Sequence, residues 1–234
     1  MRSFNRVPLS LLGVCRGLCR SALHLWPVLL ALVPASVHAE TESSKPNIVV
    51  FLADDMGWGD SATYGHPLIQ TPNLDKLAFQ GVKFTQCYSA CGVCSPSRSA
   101  ILTGRTPYRN GVYRHLSGLH EAHLRRSEIT YPKLLKTIGY ETCHVGKWHL
   151  NSKPQFNAPE YPQPGDHGYD YWMATHNNAE PSHKNPNNFV RNGEPVGELE
   201  GYSAPLVATE AARPVCRPHS AHRSGKNHHC AAHH

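Results

Sequence analysis

A chain of 234 residues is long enough for one ordinary domain with a sizeable core, or for one part of a larger domain. Its formal charge of +6 would suit a nucleic-acid or anionic-membrane partner only if the excess lay on a folded surface. Instead, residues 1–39 carry four Arg and no acid, residues 211–234 carry three Arg, one Lys and no acid, and the stretch between holds 15 basic against 17 acidic side chains. A cationic stripe for nucleic acid is thereby excluded.

Residues 1–39 have the form of a signal peptide: Arg2, Arg6, Arg16 and Arg20 precede the apolar run Leu25–Val33, and Val37-His38-Ala39 stands before Glu40. The run is too short for a comfortable membrane span, so an exported protein is expected (periplasmic, secreted or lumenal) with no stable membrane span. Of the eight Cys, four fall in the body, at 87, 91, 94 and 143. Export permits disulfides among them, but their connectivity is not fixed by sequence.

The body, residues 40–210, begins with a β-branched and apolar run, Asn47–Ala53, which suits a strand buried on both faces and ends at Asp54-Asp55. Acids at the carboxyl end of a core strand occupy the place where open α/β sheets bind ligands. Thr71-Pro72 marks a helix start, Leu74, Leu77 and Ala78 keep helical spacing, and Gly81 marks a stop. Val82–Tyr88 then reads as a strand, Thr130–Ile138 as a second helix closed by Gly139, and Tyr140–Val145 as another strand. This order predicts an α/β fold with a largely parallel central sheet flanked by helices. Residues 151–201, rich in Pro, Asn, Gly and His, read as long surface loops.

From Ala211 the acids and nearly all large apolar residues vanish, and Arg, His, Pro, Ser and Ala dominate to His234. Such a segment buries too little surface to offset its ordering entropy and is expected to be disordered. We read it as a shifted reading frame or gene-model error in preference to a His-rich metal tail.

The densest chemical signal is Gly92-Val-Cys94-Ser-Pro96-Ser-Arg98, running on to Thr103-Gly104. A helix starting near Pro96 aims its amino-terminal N–H groups at position 94, Arg98 adds a full positive charge, and an anion there is favoured. Cys91 and Cys94 also form a CxxC, yet no second CxxC or closely spaced Cys/His pair in the body completes a four-ligand zinc site. His176 and His183 lie in a polar loop and are left outside the expected site.

The Cys94 segment, matched without a gap through CxPSR and the TG pair, resembles the type I sulfatases, a family of the alkaline-phosphatase-like superfamily. Gly139–His149, containing Gly146-Lys147-Trp148-His149, resembles the family's second signature, and Asp54-Asp55 resembles its first metal pair. The resemblance implies that a formylglycine-generating enzyme converts Cys94 to formylglycine, whose hydrate has two hydroxyls, one to attack sulfur and one to help expel sulfate. It also implies that Arg98 steadies the nucleophile, Lys147 binds sulfate oxygens and His149 handles a proton. Asp54, Asp55 and the residue at 94 would hold Ca2+, with Mg2+ as the other hard cation of this kind. The implied reaction is hydrolysis of a sulfate ester of a carbohydrate or aryl alcohol. A phosphonate or phosphodiester hydrolase of the same superfamily, and a non-catalytic exported fragment, are the alternatives. The likeness covers residues 45–210, and the family is longer. A second metal pair and further sulfate ligands are not found in this sequence, so weak metal affinity, an unpaired sheet edge and uncovered apolar faces are expected.

Overall fold

The computed structural model describes residues 45–118 and 121–215. The expected signal peptide and residues 216–234 of the expected tail lie outside them. The chain divides after Leu52. In the first unit, residues 45–52 form no regular element, and Ile48 to Leu52 are 49–85% exposed. The strand expected at Asn47–Ala53 is therefore not formed. A strand buried on both faces needs a hydrogen-bonding neighbour on each side, and among the described residues this run pairs with none.

The second unit begins at Ala53. Helix α1 spans Pro72–Gln80, with Thr71 at the N-cap, Pro72 in its first turn and Gly81 at the C-cap, as the punctuation residues predict. The Thr71 hydroxyl donates to Asp75 at 3.0 Å and accepts from the Ala62 N–H at 3.0 Å, fixing the helix entrance. The next run, Val82–Tyr88, is irregular and exposed, a second expected strand without a partner among the described residues.

Helix α2 spans Cys94–Thr103 and ends on Gly104, whose φ of 65° lets its N–H return to the Ala100 carbonyl. A short helix, α3, follows at Pro107–Asn110. The Asn110 amide donates to the Ser99 and Thr103 hydroxyls at 3.0 and 3.3 Å, locking α3 onto α2. Helix α4 spans Tyr131–Thr137, again with Thr at the N-cap and Pro in the first turn.

The sheet is mixed. Strand β1, Cys143–Lys147, runs parallel to β2, Tyr171–Thr175, in the register Cys143 to Tyr171 through Lys147 to Thr175. β2 then pairs antiparallel with β3, Val190–Arg191, and β3 with β4, Glu194–Pro195. The β3–β4 turn is Asn192-Gly193, both at positive φ (47° and 95°), the backbone twist that a two-residue hairpin requires. Pro195 sits on the edge strand, where a missing N–H costs least. The sheet thus corrects two expectations: it is mixed rather than largely parallel, and β2, β3 and β4 lie inside the segment read as loops. The apolar run Tyr171-Trp-Met-Ala174 is short enough to be masked by its polar surroundings, yet it supplies the buried strand.

Helix α5, Ser203–Val215, packs on β1 and continues through Ala211, where the composition breaks. Residues 211–215 are therefore helical, contrary to the disorder expected from that point, because they prolong a helix already docked on the sheet. Buried Glu210 makes the tie, accepting from Arg191 Nε at 2.9 Å, from Arg213 at 2.9 Å and from the Tyr171 hydroxyl.

The core gathers Leu102 of α2, Val112, Leu116 and Leu124 of the following loop, Trp148 and Leu150 after β1, and Trp172, Ala174 and Val190 of the sheet. Its floor is the turn ending at Gly168, where φ is 100° and an added Cβ would stand 2.6 Å from the Lys133 backbone nitrogen of α4. Gly168→Ala meets both a forbidden backbone region and a collision, and is expected to cost about 2 kcal/mol or more. A clearly lowered thermal midpoint tests this; an unchanged one refutes it.

The neighbouring His167 is fully buried beside Trp148. Burial, assisted by the charge of Lys133, pushes its imidazole down from 6.5 to about 4. The neutral ring is tolerated above 6.5, whereas between 6.5 and about 4 the unfolded chain takes up a proton that the folded one refuses. Stability should therefore fall with pH across that window by on the order of 3 kcal/mol from this residue. His167→Gln, compared by urea unfolding at about pH 7 and about pH 4.5, should lose less than the parent across that interval. Equal losses would show that His167 does not contribute.

Candidate active site

Three segments supply the residues singled out in the sequence. Asp54 follows directly on Ala53, Cys94 and Arg98 stand four apart on one face of α2, and Lys147 ends β1 with His149 two residues beyond it. Helix α2 starts at Cys94 itself, two residues before the position expected, because Val93 is already extended and its carbonyl accepts from the Ser97 N–H. Position 94 is accordingly the first residue of the helix, among the unpaired N–H groups of its first turn. The Ser95 hydroxyl, fully buried, accepts from the Leu116 N–H at 3.2 Å and anchors that turn to the loop beyond α3.

Arg98 joins the segments. One guanidinium nitrogen donates to the Lys147 carbonyl at 2.6 Å and the other to Asp54 Oδ1 at 2.9 Å. Lys147 Nζ donates to Asp54 Oδ2 at 2.9 Å. Burial alone would push the Asp54 carboxyl up, but hydrogen bonds from Lys147 and Arg98, and their charges, outweigh it and hold it below the usual carboxylate range. Arg98 and Lys147 side chains are each 12% exposed, so two cations stand close together with one carboxylate between them. An oxyanion brought to this place would meet both.

His149 lies beyond the end of β1 with φ at 55°, so it does not continue the alternation of the strand from Lys147. Its ring is fully buried, 4.5 Å between centroids from His115 and 5.1 Å from His176. Nε2 lies 3.1 Å from the Leu116 carbonyl, which accepts only, so Nε2 carries the proton. Nδ1 is left as a buried lone pair without a hydrogen-bond partner. Burial, then the fields of His176, Lys147 and His115, push the imidazole down to about 3, so it is neutral at ordinary pH.

Asp55 is exposed, with φ at 59°, and enters no ion pair among the described residues. Two adjacent carboxylates fit a hard cation such as Ca2+ in kind, but not in number. About six to eight oxygens are needed, and both Asp54 oxygens already accept from Arg98 and Lys147. The four body cysteines are free thiols.

His115 joins the site without any signal in the sequence, and His176, which the sequence reading left outside the expected site, packs against His149 within it. His115 sits on an irregular loop with no motif around it, and only the tertiary fold brings it to His149. His176 follows β2, a strand hidden by its polar surroundings. His183, by contrast, bonds Ser203 at the start of α5 and stands apart from this cluster.

Among known families, the model described as Sulfatase matches residues 46–221. The N-acetylgalactosamine-6-sulfatase of Canis lupus familiaris is 44% identical over 160 residues, which cover 65% of this chain and 30% of that protein. The chain thus spans about 30% of the length of the curated relatives it matches. Among solved structures, Ps i-CgsB superposes with a TM-score of 0.64 at 29% identity, covering 73% of this chain and 41% of that one. A protein in complex with its substrate D-glucosamine-2-N,6-O-disulfate superposes with a TM-score of 0.53 at 30% identity, covering 68% and 29%.

The two-pronged contact of Arg98 is a test of the local assembly. Lysine at this position reaches one acceptor but not both, so Arg98→Lys should lose about 1–2 kcal/mol of stability, read as a lower urea midpoint. An unchanged midpoint would show that the fork adds nothing.

Proposed function

Since the chain belongs to the sulfatase family, we propose that it carries the nucleophile-bearing part of an enzyme hydrolysing sulfate esters, with Cys94 as the site of formylglycine formation. Its fold is the alkaline-phosphatase-like α/β fold of the sulfatases it superposes on. The observation that supports the function most is the pair of largely buried cations, Arg98 and Lys147, sharing one carboxylate, with Arg98 one helical turn from position 94. A sulfate group is a tetrahedral oxyanion, and two fixed positive charges near the attacking residue favour it both bound and in the transition state.

Formylglycine at position 94 would supply the pair of hydroxyls needed to attack sulfur and afterwards release sulfate. The chain's own residues do the rest. Lys147, as a compact ammonium, binds sulfate oxygens, and Arg98 fixes position 94 relative to β1 while contributing its charge. His149 is neutral and offers Nδ1 to a hydroxyl proton at position 94, its orientation set by the Leu116 carbonyl on Nε2. Asp54 and Asp55 would hold Ca2+, or Mg2+, together with an oxygen at position 94. Such an ion polarises sulfuryl oxygens. To bind it, Asp54 must exchange contacts with Arg98 and Lys147, and affinity within this chain alone is expected to be weak.

The substrate class we infer is the sulfate ester of a carbohydrate, in keeping with the sulfated glucosamine held by one structural relative. Export through the segment 1–39, and the modifying enzyme as a partner, belong to the same proposal. Among the described residues no helix is long and apolar enough to cross a membrane.

Co-expression with a formylglycine-generating enzyme, followed by mass spectrometry of the tryptic peptide containing Cys94, should show a loss of about 18 Da, the change from CH2–SH to CHO at the nucleophile. Unmodified cysteine would overturn the assignment of position 94. Where conversion succeeds, turnover of an activated sulfate ester in preference to the matching phosphonate ester should fall by about a hundredfold or more in Lys147→Ala. A preference for the phosphonate would move the function to the neighbouring enzyme class.

A further inference from the structure

Cys94 has a second environment that the sequence does not announce. Its Sγ and one ring nitrogen each from His115 and His149 lie within 4.8 Å of one another. They come from three segments: the first turn of α2, the loop after α3, and the end of β1. A CxxC-based zinc site finds no completing ligands along the sequence, but the fold brings two imidazoles to this thiol.

The second observation is the state of His149. It is fully buried, its Nε2–H is committed to the Leu116 carbonyl, and its Nδ1 lone pair has no partner. A metal-ligating histidine has this arrangement, with one nitrogen donating to a backbone carbonyl and the other left for the ion. An unpaired buried nitrogen costs free energy unless something satisfies it.

We propose that the unconverted form of the protein, with cysteine still at position 94, binds one thiophilic divalent ion of the Zn2+ class through Cys94 Sγ, His149 Nδ1 and His115. Binding releases the thiol proton to solvent, three protein ligands are filled, and the fourth tetrahedral position is left to water. Bonds of about 2.0–2.3 Å place tetrahedral ligands roughly 3.5 Å apart. The spread of up to 4.8 Å therefore closes with up to about 1.3 Å of movement, to which the exposed His115 side chain can contribute.

This site shares only position 94 with the calcium site proposed on Asp54 and Asp55, and it differs in hardness: sulfur and imidazole select Zn2+, whereas carboxylates select Ca2+ or Mg2+. It also exists only before conversion, because formylglycine has no sulfur. An ion on Sγ and oxidation of Cys94 exclude each other, so thiophilic metal would hold the chain in its precursor form. Metal binding of this kind does not depend on the sulfatase reaction and is read without turnover.

The full chain, expressed without the modifying enzyme, is reduced with a phosphine and alkylated with iodoacetamide in the presence of Zn2+ or EDTA, and each cysteine is read separately from the fragment ions of its peptide, since Cys87, Cys91 and Cys94 share one tryptic peptide. Peptide resolution separates Cys94 from the His- and Cys-containing segment after residue 215. Loss of an outer-shell partner alone weakens metal sites by about 10- to 100-fold, so removal of a ligand should do at least as much. On the same scale, Zn2+ should slow alkylation of Cys94 by about tenfold or more, and EDTA should restore it. His115→Ala, and independently His115→Gln, should abolish the protection, each variant's rate with Zn2+ being compared with its own metal-free rate. Cys91→Ser should keep it. Absence of protection in the parent chain overturns the proposal. So does protection that survives both His115 variants, or that disappears in Cys91→Ser.

Discussion

The side chain of Arg98 spans the distance between a helix and a strand end, and the arrangement of the candidate site depends on that span. Its two nitrogens reach acceptors contributed by residues 44 and 49 positions away in sequence, so one planar group sets the approach of Asp54, α2 and β1 to one another. Because the guanidinium keeps its charge at any ordinary pH, the link does not titrate. The same contact leaves two cations facing one carboxylate. In a partly buried place such an excess of positive charge is unfavourable until an anion arrives, and the energy released by the anion's arrival is what a sulfate-binding site can direct toward its reaction.

How much of this was legible in the sequence depended on the range of the interactions that fix each element. Helix α1 follows from Thr71, Pro72 and Gly81, and α4 from Thr130 and Pro132, because capping acts within a few residues of the helix end. Strand formation depends on partners elsewhere in the chain. Asn47–Ala53 has the composition of a core strand but no neighbour among the described residues, whereas Tyr171–Thr175 has both a neighbour and a buried face despite its polar surroundings. The Asn192-Gly193 pair is a hairpin signal of local range, obscured by the polar composition of the segment around it.

For the site the division is similar. Cys94, Arg98, Lys147 and His149 were marked by motif spacing, and the fold supplied the distances between them. His115 and His176 carried no local signal, and their place follows from the buried ring of His149 against which both pack. Asp55 had the opposite fate: prominent in sequence beside Asp54, it stands exposed and outside the Arg98–Lys147 arrangement. Adjacent residues share a chain segment but not an environment, and a carboxylate's partners are decided by tertiary structure.

The parallel register of β1 on β2 also bears on fidelity of folding. Lys147 is the last residue of a ladder only five residues long, paired with Thr175. A slip by a single residue would displace the ammonium by about 3.3 Å and turn it to the opposite face of the sheet. Such a slipped chain would retain its composition, its helices and much of its hydrogen bonding, yet its charge would point away from Asp54. The short ladder therefore acts as a ruler whose smallest division is larger than the tolerance of the chemistry it measures out, so that misregistered molecules are separated from competent ones in whole steps, with no graded series of partly aligned sites between.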